Sequence, residues 1–237
     1  MSHETTIIPE DYKDIIYRAT YYLLGKVAPW IPYSVRPNQI TVSAFLFALL
    51  GCALLYFISS PMAYLYWAIC NLVWYVLDAL DGIHARLTQQ TSEYGAFLDH
   101  MLDNIFFLVM LSVFLLKFDL LHPLYVFILL LRVTAALVVF VVQVHTGRMY
   151  LSWFSGGLEL VIMTLTMVLS YCYPHVDFSG NTSNAVWISI VDALDLHQGV
   201  FMKLALLFYL VGIPIYSFFT FRFVRKQLGS AHEGGLT

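Results

Sequence analysis

Six apolar blocks, each about as long as a bilayer is thick, leave this chain few ways to fold. A helix needs roughly 20 mostly apolar residues to cross the hydrocarbon core, and such blocks run over 39–60, 61–80, 95–116, 121–144, 154–173 and 200–221. They are continuous rather than broken into segments of about 10 residues with alternating polarity, which excludes a transmembrane β-barrel. Only 11% of the residues are charged, against about a quarter in soluble domains, which excludes a water-soluble globule. The fold class expected is therefore an all-α integral membrane protein with six transmembrane helices.

The helices are preceded by a segment of a different kind. From Pro9 to Trp30 the chain mixes Asp11, Lys13, Asp14, Arg18 and Lys26 with Ile15, Ile16, Tyr17, Tyr21, Leu23 and Leu24. That is too polar to span yet apolar on one side, which predicts an amphipathic interfacial helix. The organisation expected is an interfacial segment over 1–38, a six-span domain over 39–226 and a flexible tail over 227–237. With the N-terminus inside, nine basic residues (Lys13, Arg18, Lys26, Arg36, Arg86, Arg148, Arg222, Arg225 and Lys226) fall on the cytoplasmic side, and only Lys117 and Lys203 fall outside. That bias fixes the expected orientation. The connection 174–199 is the one sizeable loop expected outside the membrane, with an amphipathic piece near Val186 to Leu194. It includes the glycosylation sequon Asn181-Thr182-Ser183, which carries no functional weight at this length. A net charge of −3 without a long basic run argues against nucleic acid as a partner. Cys52, Cys70 and Cys172 lack metal-site or disulfide spacing and read as packing residues. No cleavable signal is expected.

Acids are scarce, yet Asp78, Asp81, Asp99 and Asp103 all fall at the cytoplasmic ends of two consecutive spans. An unpaired carboxylate there is costly. Asp78, Asp81, Gly82 and Ala85 are related by steps of three and four, as are Gly95, Asp99 and Asp103, so each set lies on one helix face. Two acidic stripes would thus face each other across a hairpin, with small residues letting backbone and ligand approach. Converging carboxylates repel, and hard divalent cations with oxygen ligands are the usual remedy. Magnesium or manganese is implied, and two ions about 4 Å apart would clamp both oxygens of a phosphoryl displacement.

The run Asp78-x2-Asp81-Gly82-x2-Ala85-Arg86-x8-Gly95-x3-Asp99-x3-Asp103 resembles the complete signature of the CDP-alcohol phosphotransferase family. Ahead of the first span, Pro37-Asn38-Gln39-Ile40-Thr41 is similar to a further segment of that family. The resemblance implies a homodimer whose substrates are a CDP-alcohol and a lipid acceptor. It implies Asp78, Asp81, Asp99 and Asp103 as metal ligands, with Asp103 also the candidate base. Asn38, Thr41, Asp81, Gly82, Ala85, Arg86 and Gly95 would then bind nucleotide and phosphate. Arg86 has the alternative of a positive-inside anchor. The active site would face the cytoplasm, in a bacterial inner membrane or a eukaryotic endomembrane.

Two local features resemble the branch that moves phosphocholine or phosphoethanolamine to diacylglycerol. One is the pair Asp99-His100; the other is the stretch from His145-Thr146-Gly147-Arg148 to Gly156-Gly157-Leu158-Glu159. The catalytic candidates are accordingly Asp103, Asp99, His100 and Glu159. Glu159, with Tyr150, Trp153 and Phe154 before it, suits an ammonium headgroup, or is a helix-start acid beside an interfacial aromatic belt. His100 and His145 are proton carriers or orienting partners. Arg132, alone within a span, makes an interhelix contact, snorkels or meets an acid or lipid phosphate. Met101-Leu102 departs from the Gly-Cys of the eukaryotic enzymes, which also carry further C-terminal spans. The other branch, phosphatidyl transfer from CDP-diacylglycerol to inositol, glycerol phosphate or serine, shares the same aspartates. Phosphorylated acceptors such as glycerol phosphate or inositol phosphate would call for an added basic cluster, and beyond Arg86 and Arg148 only Arg36 or Arg222 near the ends of the domain could supply one. An ion-coupled transporter would show repeats and mid-membrane helix breaks, and the acidic motif has no second copy.

Overall fold

The computed structural model describes residues 13–146, 150, 152, 156–178 and 184–233. Regular structure among them is entirely helical: α1 Ile15–Val27, followed by a 3-10 turn Ala28–Trp30, then α2 Pro37–Phe57, α3 Met62–Leu87, α4 Glu93–Lys117, α5 Pro123–Thr146, α6 Gly156–Cys172, α7 Ala185–Ala193 and α8 Val200–Glu233. Five of these, α2, α3, α4, α5 and α8, are long and apolar enough to cross a membrane. The sixth expected span is α6, which has 17 residues. At 1.5 Å per residue it reaches about 25 Å, short of a core of about 30 Å. The expectation of six equivalent spans therefore resolves as five long helices and one shorter apolar helix. Leu46, Phe57, Leu108, Leu130 and Val144 are exposed on these helices, as lipid-facing positions should be.

Local chemistry sets the helix starts. Asp14 caps α1, its carboxylate accepting from the amides of Ile16 at 2.8 Å and Tyr17 at 3.0 Å. Pro37 occupies the first position of α2, where its missing N–H costs nothing, and the Gln39 side chain reaches back to the Arg36 amide at 2.9 Å. Ser92 caps α4 by accepting from Gly95 N at 3.0 Å. Helix α1 packs on α3 through Tyr21 against Ala79, Leu80 and Ile83, with Ala28 of the 3-10 turn in the same cluster. Pro9 to Tyr12 of that expected segment lie outside the described residues.

Small residues govern how closely the spans approach. Ala44, Ala48, Gly51 and Cys52 form a buried stripe on α2, and a Cβ at Gly51 would stand 2.8 Å from the Cβ of Cys70 on α3. This is the close packing that small residues permit inside membranes, where hydrophobicity itself drives no helix association. At the end remote from the acids, Lys117 donates to the Ile58 carbonyl at 2.8 Å, tying α4 to the end of α2. Fully buried Lys203 on α8 is paired with Asp195 Oδ2 at 2.7 Å and its carbonyl at 2.8 Å. The expected amphipathic piece of the long connection is α7, capped by Asn184; the sequon lies outside the described residues. Helix α8 continues to Glu233, past the boundary expected at 226.

Candidate active site

Helices α3 and α4 bring the acidic stripes together. Asp78, Asp99 and Asp103 each offer a carboxylate oxygen, and the three oxygens lie within 4.8 Å of one another. Asp81, one turn from Asp78, is buried and turned toward α2, where Thr41 Oγ1 stands 2.5 Å from its Oδ2. The Thr41 hydroxyl also lies 3.2 Å from the Pro37 carbonyl. Asn38 and Thr41 thus enter the site at the start of α2. A Cβ at Gly95 would stand 3.0 Å from Asn38 Oδ1, so glycine lets the start of α4 close on that side chain. Gly82 lies against Arg86, whose Nη1 would be 3.4 Å from an added Cβ. Ala85 accepts from Gln90 N at 2.8 Å through its carbonyl, closing the turn after α3.

Three polar atoms on two residues of this site are conspicuous for lacking hydrogen bonds. Nε and Nη2 of Arg86 and Oδ1 of Asp99 are buried without hydrogen bonds among the described residues. Buried polar atoms are nearly always satisfied. An unmatched guanidinium beside all-oxygen acidic donors fits a ligand that carries both phosphate and a hard divalent cation. The acids present thus fit a hard divalent cation such as magnesium or manganese, which Asp78, Asp99 and Asp103 would hold with Asp81 next to them.

Sequence reasoning missed the roof of the site. Tyr17 and Tyr21, one turn apart on α1, lean over it: the Tyr17 ring packs edge-on against Tyr75 at 5.2 Å, and the Arg86 guanidinium lies 5.5 Å from the Tyr21 ring centroid. Burial, and then the Asp78 carboxylate, push the Tyr17 phenol well above its ordinary range, which keeps it a neutral O–H. The signal available was the i, i+3, i+7 run of Asp14, Tyr17 and Tyr21 on one helix face. Asp14 Oδ2 also accepts from Gly157 N at 3.0 Å, fastening α1 to the start of α6.

The remaining candidates are placed as follows. His100 Nδ1 is 3.5 Å from Asp99 Oδ2, and its Nε2 is 2.8 Å from Gln143 Oε1 on α5, so the ring is oriented from both sides. His145 Nδ1 meets the Val141 carbonyl of its own helix at 2.9 Å and is exposed. Glu159 is held by Arg132, whose Nε lies 3.0 and 3.2 Å from its two oxygens while Nη2 bonds Oε2. The lone arginine of α5 therefore makes an interhelix ion pair. Tyr150 stacks on Phe223 of α8 at 4.5 Å. Gly147, Arg148, Trp153 and Phe154 lie outside the described residues. A cavity of about 160 Å³ joins the two groups of residues: Asp78 and Asp103 line one part, Trp74 and Phe106 the walls, and Arg132 and Glu159 another part.

A bundle of membrane-length helices that gathers acids and a partly unpaired arginine beside a largely apolar cavity has the chemistry of a membrane enzyme that handles phosphate. Residues 34–211 match the CDP-alcohol phosphatidyltransferase family, and the chain belongs to that family. It is 28% identical over 223 residues to an uncharacterised class-I family protein of Schizosaccharomyces pombe, covering 88% of this chain and 54% of that one. It is 26% identical over 154 residues to choline/ethanolaminephosphotransferase 1 of Saccharomyces cerevisiae, covering 60% and 39%. To archaetidylinositol phosphate synthase of Pyrococcus horikoshii it is 38% identical over 71 residues, 30% and 36% of the two chains. The aligned part is thus about half, or less, of the length of these relatives.

Proposed function

We propose that the protein transfers phosphocholine or phosphoethanolamine from its CDP carrier to diacylglycerol and releases CMP. The observation that carries this reading is the cavity: it reaches Asp78 and Asp103 from within the bundle, between mainly aromatic and aliphatic walls. A lipid-soluble acceptor suits such a route, and a polar alcohol does not. The yeast relative's name supports the choice of headgroup.

Asp78, Asp99 and Asp103, with Asp81 alongside, would hold a divalent cation, which would supply charge neutralisation for the pyrophosphate. Arg86, roofed by Tyr21, donates to phosphate oxygens. The acceptor hydroxyl attacks the β-phosphorus, the new O–P bond forms as the bond to CMP breaks, and the hydroxyl proton passes to the Asp103 carboxylate. His100, oriented by Gln143 and next to Asp99, supports the same proton transfer. The reading has this face toward the cytoplasm, which the bias of basic residues to the acidic end supports. The reading includes a homodimer, which light scattering of the detergent-solubilised protein checks.

The test is CMP release by purified protein with magnesium or manganese, from a panel of CDP-alcohols with diacylglycerol. Release from CDP-choline or CDP-ethanolamine is expected. Release confined to CDP-diacylglycerol with inositol, inositol phosphate, glycerol phosphate or serine would refute the reading.

A further inference from the structure

The cavity lined by Asp78 and Asp103 is lined by a second polar group as well. Arg132 and Glu159 form a closed, doubly bonded pair, so this part of the cavity is neutral in net charge. Tyr209 and Tyr216 of α8 line it as well. They are seven residues apart, two turns along one helix face, and only 4% and 8% exposed. Neither phenol oxygen has a hydrogen-bond partner among the described residues. Unsatisfied hydroxyls are costly wherever water is excluded, and most of all inside a membrane.

Those facts constrain the ligand. A cationic headgroup would find Glu159 already neutralised, and an anion would find Arg132 already occupied. What remains are two phenol O–H groups, which suit uncharged acceptors. A lipid acceptor with its free hydroxyl at Asp103 would carry such acceptors along its backbone. We propose that Tyr209 and Tyr216, set against the Arg132–Glu159 pair, form a subsite that donates hydrogen bonds to the ester carbonyls of a diacylglycerol. They would thereby select ester-linked over ether-linked acceptors. The subsite rests on the acceptor being the lipid proposed above. Tyr216 also lies beyond the residues that match the family, so a family-wide pattern over 34–211 does not contain it.

The test measures binding separately from turnover. The full chain is placed in nanodiscs of ether-linked phospholipid, which offer no competing esters, and titrated with dioleoylglycerol or its di-O-oleyl analogue. Trp67 and Trp74 line the cavity, and their fluorescence reports occupancy. Wild type is expected to half-saturate with the diester at a mole fraction several-fold to tenfold below the diether. Tyr209→Phe and Tyr216→Phe keep the rings, and each should weaken diester binding about 3- to 10-fold while leaving diether binding unchanged. No ester preference in wild type, or the same preference in both variants, overturns the subsite. Loss of preference in the variants, with no CMP released from CDP-choline or CDP-ethanolamine, would sustain the subsite and defeat the transfer reading. Normal CMP release with an unaltered ester preference would do the reverse.

Discussion

Replacing Asp99 by Asn should make the metal-free protein more stable while destroying its response to metal. At 4.8 Å and an effective dielectric near 20, two carboxylates repel by about 3.5 kcal/mol, and Asp78, Asp99 and Asp103 form three such pairs. The variant removes two of them, about 7 kcal/mol of gross repulsion if all three acids were ionised. Proton uptake, side-chain rotation and the lost attraction to His100 at 3.5 Å absorb most of that. A net gain of about 1–3 kcal/mol is expected, read as a rise of several degrees in the unfolding midpoint. With magnesium at 100 times its dissociation constant, wild type should gain about 2.7 kcal/mol, and the variant far less. Thermal unfolding of detergent-solubilised protein followed by circular dichroism, with chelator and then with excess magnesium, checks both halves. An Asp99→Asn protein less stable than wild type in chelator, or shifted equally by magnesium, would refute the reasoning that these acids are held together for a cation.

Three further outcomes are expected. Asp103→Asn should retain CDP-alcohol binding within a few-fold, measured by equilibrium dialysis, while CMP release falls by at least about 100-fold; normal release by a folded variant removes Asp103 as the base. Glu159→Gln should destabilise the protein by about 3–5 kcal/mol, because Arg132 keeps its charge without a partner, whereas replacing both by Met should recover most of the loss. Chemical denaturation compares the two, and equal stability would mean that the pair is not coupled. Gly157→Ala would set a Cβ 2.5 Å from Asp14 Oδ1, so α1 must shift; proteolysis after Arg18 or Lys26 should accelerate, and an unchanged rate would show that α1 is not fastened there.

What the sequence made legible follows from the range of each signal. Spacings of three and four within one helix are local, so Asp78 with Asp81 and Asp99 with Asp103 declared their shared faces. The start of α2, with Pro37, Asn38 and Thr41, was legible only through its resemblance to a family segment. The partners that complete the site were not legible, because nothing local links Glu159 to Arg132, 27 residues earlier, or Asp14 to Gly157. Glu159 read alone suits a cationic headgroup, and the ion pair changes what that carboxylate has to offer. The α6 boundary was blurred for a related reason: hydropathy averages over a block and cannot see where a tertiary hydrogen bond at Gly157 begins the helix. Tyr17 and Tyr21 read as the apolar side of an interfacial helix, and their role over the acids appears only when α1 lies on α3.

The Asp14 carboxylate has a consequence for how this enzyme comes into being. It caps its own helix and binds an amide 143 residues later. During synthesis α1 can dock on α3 once that span is in place, but its tie to Gly157 forms only when the start of α6 arrives. The order of chain emergence thus sets when α1 is locked in place, because one of its two anchors is made long after the helix itself.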